Sequence, residues 1–204
     1  MRLLIIRHGQ SEADLLNVHE GRADYALTPL GRLQAQQTAR HICRSYRLTH
    51  LYTSPLQRAR QTAQYLTALC GLPLREDARL MEFDNGLLAG MGREEAAARY
   101  PYRPDLPPDQ ALYGQESRVA FRSRVQAFLA ELLARHAVED CVAVITHGGT
   151  INQLYGAAQN LPVDSPAVFL TGDTGLHEWL VGEAGIKVLR ANCLQHQAEV
   201  KGAG

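Results

Sequence analysis

A chain of 204 residues with 46% hydrophobic content can bury a full core and lies near the upper end of one ordinary domain. Its 21 basic and 21 acidic residues cancel, so no global field draws it to nucleic acid or to a membrane, and any anion affinity must be built locally. Four cysteines, at 43, 70, 141 and 193, have no close pairing, which reads as reduced thiols in a cytoplasm and not as a disulfide framework or a zinc site. Arg7 interrupts the opening apolar run too early for a signal peptide, and no transmembrane run follows.

Leu3-Leu4-Ile5-Ile6 reads as a strand buried on both faces. It stops at Arg7-His8-Gly9, which places a guanidinium and an imidazole where an open α/β sheet has its ligand crevice. Gly9 lets the backbone turn away without a Cβ clash. Gln10 to Tyr25 is a long connection with Gly21 near its tip, expected to wall a pocket. Thr28-Pro29 starts a helix running to about Tyr46. Leu51-Tyr52-Thr53 is a further strand, with Ser54 as the expected N-cap and Pro55 as the first residue of a helix to Cys70, stopped by Gly71. Arg58 then falls in the first helical turn, where a cation opposes the helix dipole unless an anion lies between them.

Leu80 to Gly86 offers two carboxylates, Glu82 and Asp84. The segment 101–114, with Pro101, Pro104, Pro107 and Pro108, is too proline-rich for regular structure and reads as a lid or rim over a site. Glu116 to about His136 has the apolar stripe of a packed helix. Cys141 to Thr146 is a second buried strand and ends in His147-Gly148, so two strands each deliver a histidine. Thr150 to Gln159 reads as a short helix, and Val168–Leu170, Leu176–Val181 and Ile186–Leu189 as strands separated by glycine-rich turns. Residues 195–204 read as a frayed tail. His19, His41, His50, His136, His177 and His196 carry no site argument and read as solvated or satisfied side chains.

Five blocks together resemble the histidine phosphatase superfamily, the group of cofactor-dependent phosphoglycerate mutases and broad-specificity phosphatases. They are Arg7-His8-Gly9, Leu27-Thr28-Pro29-Leu30-Gly31-Arg32, Tyr52 to Ala59, Leu80-Met81-Glu82 and Thr146-His147-Gly148, in the family's order. The resemblance implies a single domain over 1–204, a three-layer α/β/α sandwich whose central sheet is mostly parallel with an antiparallel edge. It implies hydrolysis of small phosphomonoesters through a phosphohistidine on His8, with Glu82 as general acid and base and Arg7, Arg58 and His147 holding the phosphoryl group. Asn17, Gly21 and Gly148 join Arg7, Arg58 and His147 as expected substrate contacts. No metal and no cofactor is expected, since Arg7, Arg58 and a protonated His147 balance the phosphate charge. The expected partner is a small-molecule phosphomonoester, with no nucleic acid and no membrane; a homodimer is allowed for.

The chain departs from the family at Ala13-Asp14, where Trp-Asn is usual, and at Leu88-Ala89-Gly90, where Trp-Glu-Gly is common. An ionised Asp14 would repel phosphate, and Asn17 is the substitute weighed against a simple turn cap. Phe83 stands where family mutases usually carry a basic residue. A phosphoglycerate mutase and a non-catalytic phospho-ligand module are the alternatives; a metal hydrolase using His8, His147 and Asp84 lacks supporting ligand spacing.

Overall fold

A computed structural model describes residues 1–197 of the chain. Strands β1 (Arg2–Arg7), β2 (His50–Thr53), β3 (Leu74–Glu76), β4 (Cys141–Thr146), β5 (Leu176–Gly182) and β6 (Gly185–Cys193) form one sheet in the order β3-β2-β4-β1-β5-β6. The first four run parallel, and β5 and β6 add an antiparallel side. Six helices accompany them: α1 (Glu12–Leu16), α2 (Pro29–Ser45), α3 (Gln57–Cys70), α4 (Arg93–Arg99), α5 (Arg118–Arg135) and α6 (Gly148–Ala158).

Alternation along the two central strands makes the layers. Leu3, Ile5, Val142 and Val144 face Val125, Phe128 and Leu129 of α5 and Ile151 and Leu154 of α6. Leu4, Ile6, Ala143 and Ile145 face Ala39 and Ile42 of α2 and Ala59, Ala63 and Leu66 of α3. Both faces of β1 and β4 are therefore apolar, as parallel strands between two helical layers require. The expected sandwich and its antiparallel edge are what the chain adopts.

Several local expectations are corrected. Helix α3 begins at Gln57 behind a Leu56 cap, because the Ser54 N–H still donates to Ile145 O of the neighbouring strand at 3.0 Å, which delays the turn into the helix. Ser54 Oγ instead accepts the Leu56 N–H at 3.3 Å and becomes free to face the sheet end. By contrast Thr28 does cap α2, its Oγ1 accepting the Gly31 N–H at 2.9 Å. Val168–Leu170 is no strand: Val168 and Leu170 are exposed, and the Phe169 N–H goes to Asn152 Oδ1 at 2.6 Å instead of to a neighbouring strand. The short helix α1 interrupts the Gln10 to Tyr25 connection, and α4 is a helix that the sequence reading did not anticipate.

The thiol reading is also corrected. Cys43 of α2 and Cys70 at the end of α3 form a disulfide, with Cα atoms 6.1 Å apart. Their 27-residue separation hid the pair, because the two helices lie side by side only once the sheet has formed. Cys141 and Cys193 remain free. The tail expectation is corrected at its start: Gln195–Gln197 makes a 3-10 turn, and the buried Gln197 donates to Thr174 Oγ1 at 2.8 Å. Residues 198–204 lie beyond what the structure describes.

Candidate active site

Arg7 and Thr146 are register partners at the carboxyl ends of β1 and β4. The next residue on each strand is a histidine, so His8 and His147 emerge side by side, their rings 5.0 Å apart and tilted by 56°. Both are buried. The chain turns away after His8 at Gly9, whose role proves to be close approach and not a left-handed backbone: a Cβ there would run into the Gly31 carbonyl. That contact seats the start of α2 directly behind the turn.

His8 is oriented by two neighbours. Its Nδ1 lies 2.7 Å from Gly9 O, so the Nδ1–H donates to that carbonyl and Nε2 keeps its lone pair. Nε2 faces the Arg58 Nε–H at 3.3 Å. Burial, then the Arg58 and Arg7 guanidinium groups, hold the His8 pKa well below its ordinary 6.5. A neutral imidazole with a directed lone pair is the form needed for attack on phosphorus.

His147 is neutral for the same reasons, burial first and then Arg58, His8 and Arg7. Its Nε2 meets Ser54 Oγ at 2.8 Å, while its Nδ1 is buried with no partner among the described residues. It therefore offers a hydrogen-bonding nitrogen and not the third cation expected from the sequence. Ser54 was read as a helix cap and turns out to be the residue that orients this ring.

Arg58, in the first turn of α3, is completely buried. Its Nη1 and Nη2 donate to the carbonyls of Ala23 (3.1 Å) and Gly21 (2.8 Å), which turns Nε toward His8 Nε2 and the Glu20 carboxylate. Arg7 donates Nη1 to Thr171 O at 2.8 Å, while its buried Nε has no partner among the described residues. Two buried nitrogens without partners, Arg7 Nε and His147 Nδ1, thus lie at the same sheet end as the His8 lone pair. Unpaired buried polar groups are costly, and such groups at one site mark where a ligand would satisfy them.

Acids surround these cations. The Glu20 carboxylate is 3.2 Å from Arg58 Nε and 3.9 Å from His8 Nε2, so it lies against the nitrogen that would attack. Burial raises its pKa, opposed mainly by Arg58. Asp173 and Asp14 lie 3.4 Å and 3.7 Å from Arg7 Nη2. Burial raises the pKa of Asp173 as well. Asp14 is otherwise engaged at the start of α1, where its Oδ2 accepts the Ser11 N–H at 2.8 Å. Neither Glu20 nor Asp173 was singled out from the sequence; a single carboxylate in a loop has no periodicity to mark it.

Glu82 reaches the site from a non-helical segment pinned against β4 and α6. Thr146 Oγ1 donates to Leu80 O (2.7 Å), Thr150 Oγ1 to Met81 O (2.9 Å), and Arg124 Nη2 to Glu82 O (2.9 Å). Its carboxylate accepts the Phe83 and Gly149 N–H groups, each at 2.8 Å. The second contact works because residue 149 is glycine; a Cβ there would overlap Glu82 Oε1. Arg124 and its partner Glu116, at 2.6 Å, hold this segment from α5 and were not anticipated.

The remaining expected residues are placed differently. Gly21 contributes its carbonyl to Arg58 and adopts a left-handed φ of 48°, with Asn85 packed against its α-carbon. Asn17 is the left-handed C-cap of α1 and is exposed to solvent. Gly148 is the first residue of α6, beside the two histidines. Asp84 pairs with Arg22 at 3.1 Å and accepts the Gly86 N–H at 3.0 Å, which removes it from any metal set with His8 and His147. The proline-rich segment walls a cavity of about 410 Å³ together with Phe83, Leu88, Ala96, Tyr100, Leu112 and Tyr113. None of Arg7, His8, Arg58, Glu82 and His147 lines that cavity.

A buried, oriented imidazole thus lies among arginines and carboxylates at the carboxyl ends of adjacent parallel strands. The sequence profile of the histidine phosphatase superfamily, branch 1, matches residues 3–194, and the chain belongs to that superfamily. It is 30% identical to phosphoserine phosphatase 1 of Hydrogenobacter thermophilus over 77% of this chain and 75% of that protein. It is 32% identical to glucosyl-3-phosphoglycerate phosphatase of Mycobacterium tuberculosis H37Rv over 87% of this chain and 83% of that protein. The solved complex of mycobacterial glucosyl-3-phosphoglycerate phosphatase with inorganic phosphate superposes with a TM-score of 0.80 at 30% identity, covering 94% of this chain and 97% of that one.

Proposed function

We propose that the protein hydrolyses small phosphomonoesters through a phosphohistidine formed on His8. The observation that carries this reading is the fixed tautomer of a neutral His8, with Nε2 unprotonated and directed into the arginine-lined pocket. Nε2 attacks phosphorus, the P–O ester bond breaks, and a proton from the Glu82 carboxyl goes to the departing oxygen. In the second step the Glu82 carboxylate takes a proton from water as the water oxygen bonds to phosphorus, the P–N bond breaks with its electron pair returning to Nε2, inorganic phosphate leaves and His8 is neutral again. Arg7 Nε, Arg58 Nε and His147 Nδ1 hold the equatorial oxygens throughout.

Phe83 speaks against the mutase alternative: its partly buried ring packs on Phe121 at 5.5 Å, so an aromatic stands where family mutases usually carry a basic residue. The presence of both His8 and Glu82 speaks against a module that only binds. Substrates resembling those of the named relatives, phosphorylated hydroxy acids and their glycosides, are the first to try. The cytoplasmic setting loses the support it drew from reduced thiols, since Cys43 and Cys70 are joined.

The test is chemical trapping. Protein quenched during turnover should carry one phosphoryl group that is stable to base, labile to acid and located on His8 by mass spectrometry. His8→Ala should have no measurable turnover while still binding inorganic phosphate. Label on a serine, aspartate or cysteine would replace the mechanism with another.

A further inference from the structure

At the opposite end of the sheet, three residues that the sequence left without a role converge. His50 begins β2, His136 follows the last residue of α5, and Asp140 immediately precedes β4. One nitrogen of each imidazole and one carboxylate oxygen lie within 4.8 Å of one another. His136 Nδ1 is 3.4 Å from Asp140 Oδ2, and His50 Nδ1 is 3.7 Å from Asp140 Oδ1. Ligands about 2.0–2.2 Å from a tetrahedral metal are separated by roughly 3.3–3.6 Å, so two of the three edges already have nearly the required length.

The turn before β4 already satisfies Asp140, which accepts the Ala137 N–H at 2.9 Å and the Thr49 hydroxyl at 3.0 Å. His50 Nδ1 lies 2.9 Å from that same Thr49 hydroxyl, which holds it beside the cluster. The two imidazole rings stand 4.3 Å apart next to one carboxylate. His136 has the outer support typical of a metal-binding histidine, because its Nε2 lies 2.9 Å from the Tyr52 hydroxyl and leaves Nδ1 toward Asp140. Its side chain is almost wholly buried, whereas those of His50 and Asp140 are partly open and allow an ion and a completing water to enter.

We propose that His50, His136 and Asp140 bind one divalent transition ion of the zinc type, with water completing the coordination. Two imidazoles and a carboxylate suit Zn²⁺, Co²⁺ or Ni²⁺ and not Mg²⁺ or Ca²⁺, which prefer oxygen alone. The ion ties the start of β2, the end of α5 and the start of β4 together. It is a structural clamp, separate from the histidine pair at the carboxyl ends of β1 and β4.

The experiment titrates the full chain, stripped with chelator, with Zn²⁺ alone by calorimetry, and follows its thermal midpoint and the visible spectrum of bound Co²⁺. One ion per chain, a dissociation constant on the order of micromolar or below, a raised midpoint and a tetrahedral Co²⁺ spectrum are expected. His50→Ala and Asp140→Asn should each weaken binding by more than about tenfold, and Tyr52→Phe, which removes the outer partner, by about tenfold. His41→Ala, in a separate imidazole pair with His196, should bind as the parent does. His50 is at the open side of the cluster, so its variant keeps the test decisive if Tyr52→Phe folds poorly. Failure to bind one ion, or binding that survives His50→Ala and Asp140→Asn, overturns the proposal; so does loss of the bound ion on adding inorganic phosphate, which would place it at the other site.

Discussion

Glu20 is the side chain whose position most alters expectation. Its carboxylate occupies the space between Arg58 and His8, where a phosphoryl oxygen would lie. A phosphate must displace it or bind beside it in protonated form, and like charges about 4 Å apart repel by several kcal/mol even at an effective dielectric of 20. Glu20→Gln should therefore bind inorganic phosphate at least about tenfold more tightly at pH 7.5. Because the Glu20 pKa is raised, the protonated form grows as pH falls, and the parent should close this gap on acidification while the variant shows only the ionisation of phosphate itself. Calorimetric affinities at several pH values decide the matter, and equal affinities at pH 7.5 would remove Glu20 from the anion site. Glu82→Gln tests the leaving-group role: in single-turnover bursts, phosphorylation by an alkyl phosphate should slow by about a hundredfold or more, and by far less with p-nitrophenyl phosphate, whose leaving group needs little proton help. Equal slowing would make Glu82 a positioning group. His8, Arg58 and His147 were legible in the sequence because they stand in fixed places at strand ends and in a helix turn. Glu20, Asp173 and the ring-orienting role of Ser54 were not, since each depends on where a loop or strand end is carried in three dimensions.

At the scale of elements, β1, β2, β4, β5 and β6 were readable from their apolar runs and α2 from its Thr-Pro start, because local chemistry and tertiary packing favour the same conformation there, whereas the short edge strand β3, Leu-Arg-Glu, has no such run. The start of α3 was misread because a β-ladder hydrogen bond at Ser54 outcompetes the cap that Ser-Pro suggests locally. Val168–Leu170 failed for the converse reason: an apolar run with strand propensity found no neighbouring strand to pair with. The pairing of α2 with α3 through Cys43 and Cys70 could not be read from spacing at all. Closing a loop of 27 residues restricts the unfolded chain and stabilises the fold by about 3–4 kcal/mol in the chain-entropy account. Cys43→Ser should lower the urea midpoint accordingly, and mild reductant should do the same to the parent but not to the variant. A parent indifferent to reductant would mean that the bridge adds nothing to stability.

Across the whole molecule, the buried imidazoles set the response to acid. Burial pushes His177 and His196 down to about 4, and holds His8 and His147 well below 6.5. Between about pH 6.5 and 4 the unfolded chain binds protons that the folded chain excludes, so these groups make stability fall as pH falls through that window. Glu20 and Asp173 act in the opposite sense, since their raised pKa values make the folded chain lose stability as pH rises through the same region. Four imidazoles outweigh two carboxylates, and thermal midpoints should decline steadily from pH 7 to pH 4.5. A flat or rising profile would show that the carboxylates dominate.

β6 gives the molecule a boundary as well as a last strand. It is nine residues long and, among the described residues, pairs only with β5 and leaves its other edge open, with Val188 and Leu189 each more than 40% exposed. A long open edge is a template on which a second chain could add strand to strand. Two features oppose that. The ladder with β5 shifts register near Glu178, which strengthens the local twist and spoils a flat edge. The chain also has only two lysines among its 21 basic residues, and one of them, Lys187, stands in the middle of the apolar run Ile186-Lys187-Val188-Leu189. A flexible, strongly hydrated ammonium must be stripped of water or brought against its own kind whenever two such edges meet, so this strand is kept from aggregating by the residue that interrupts it.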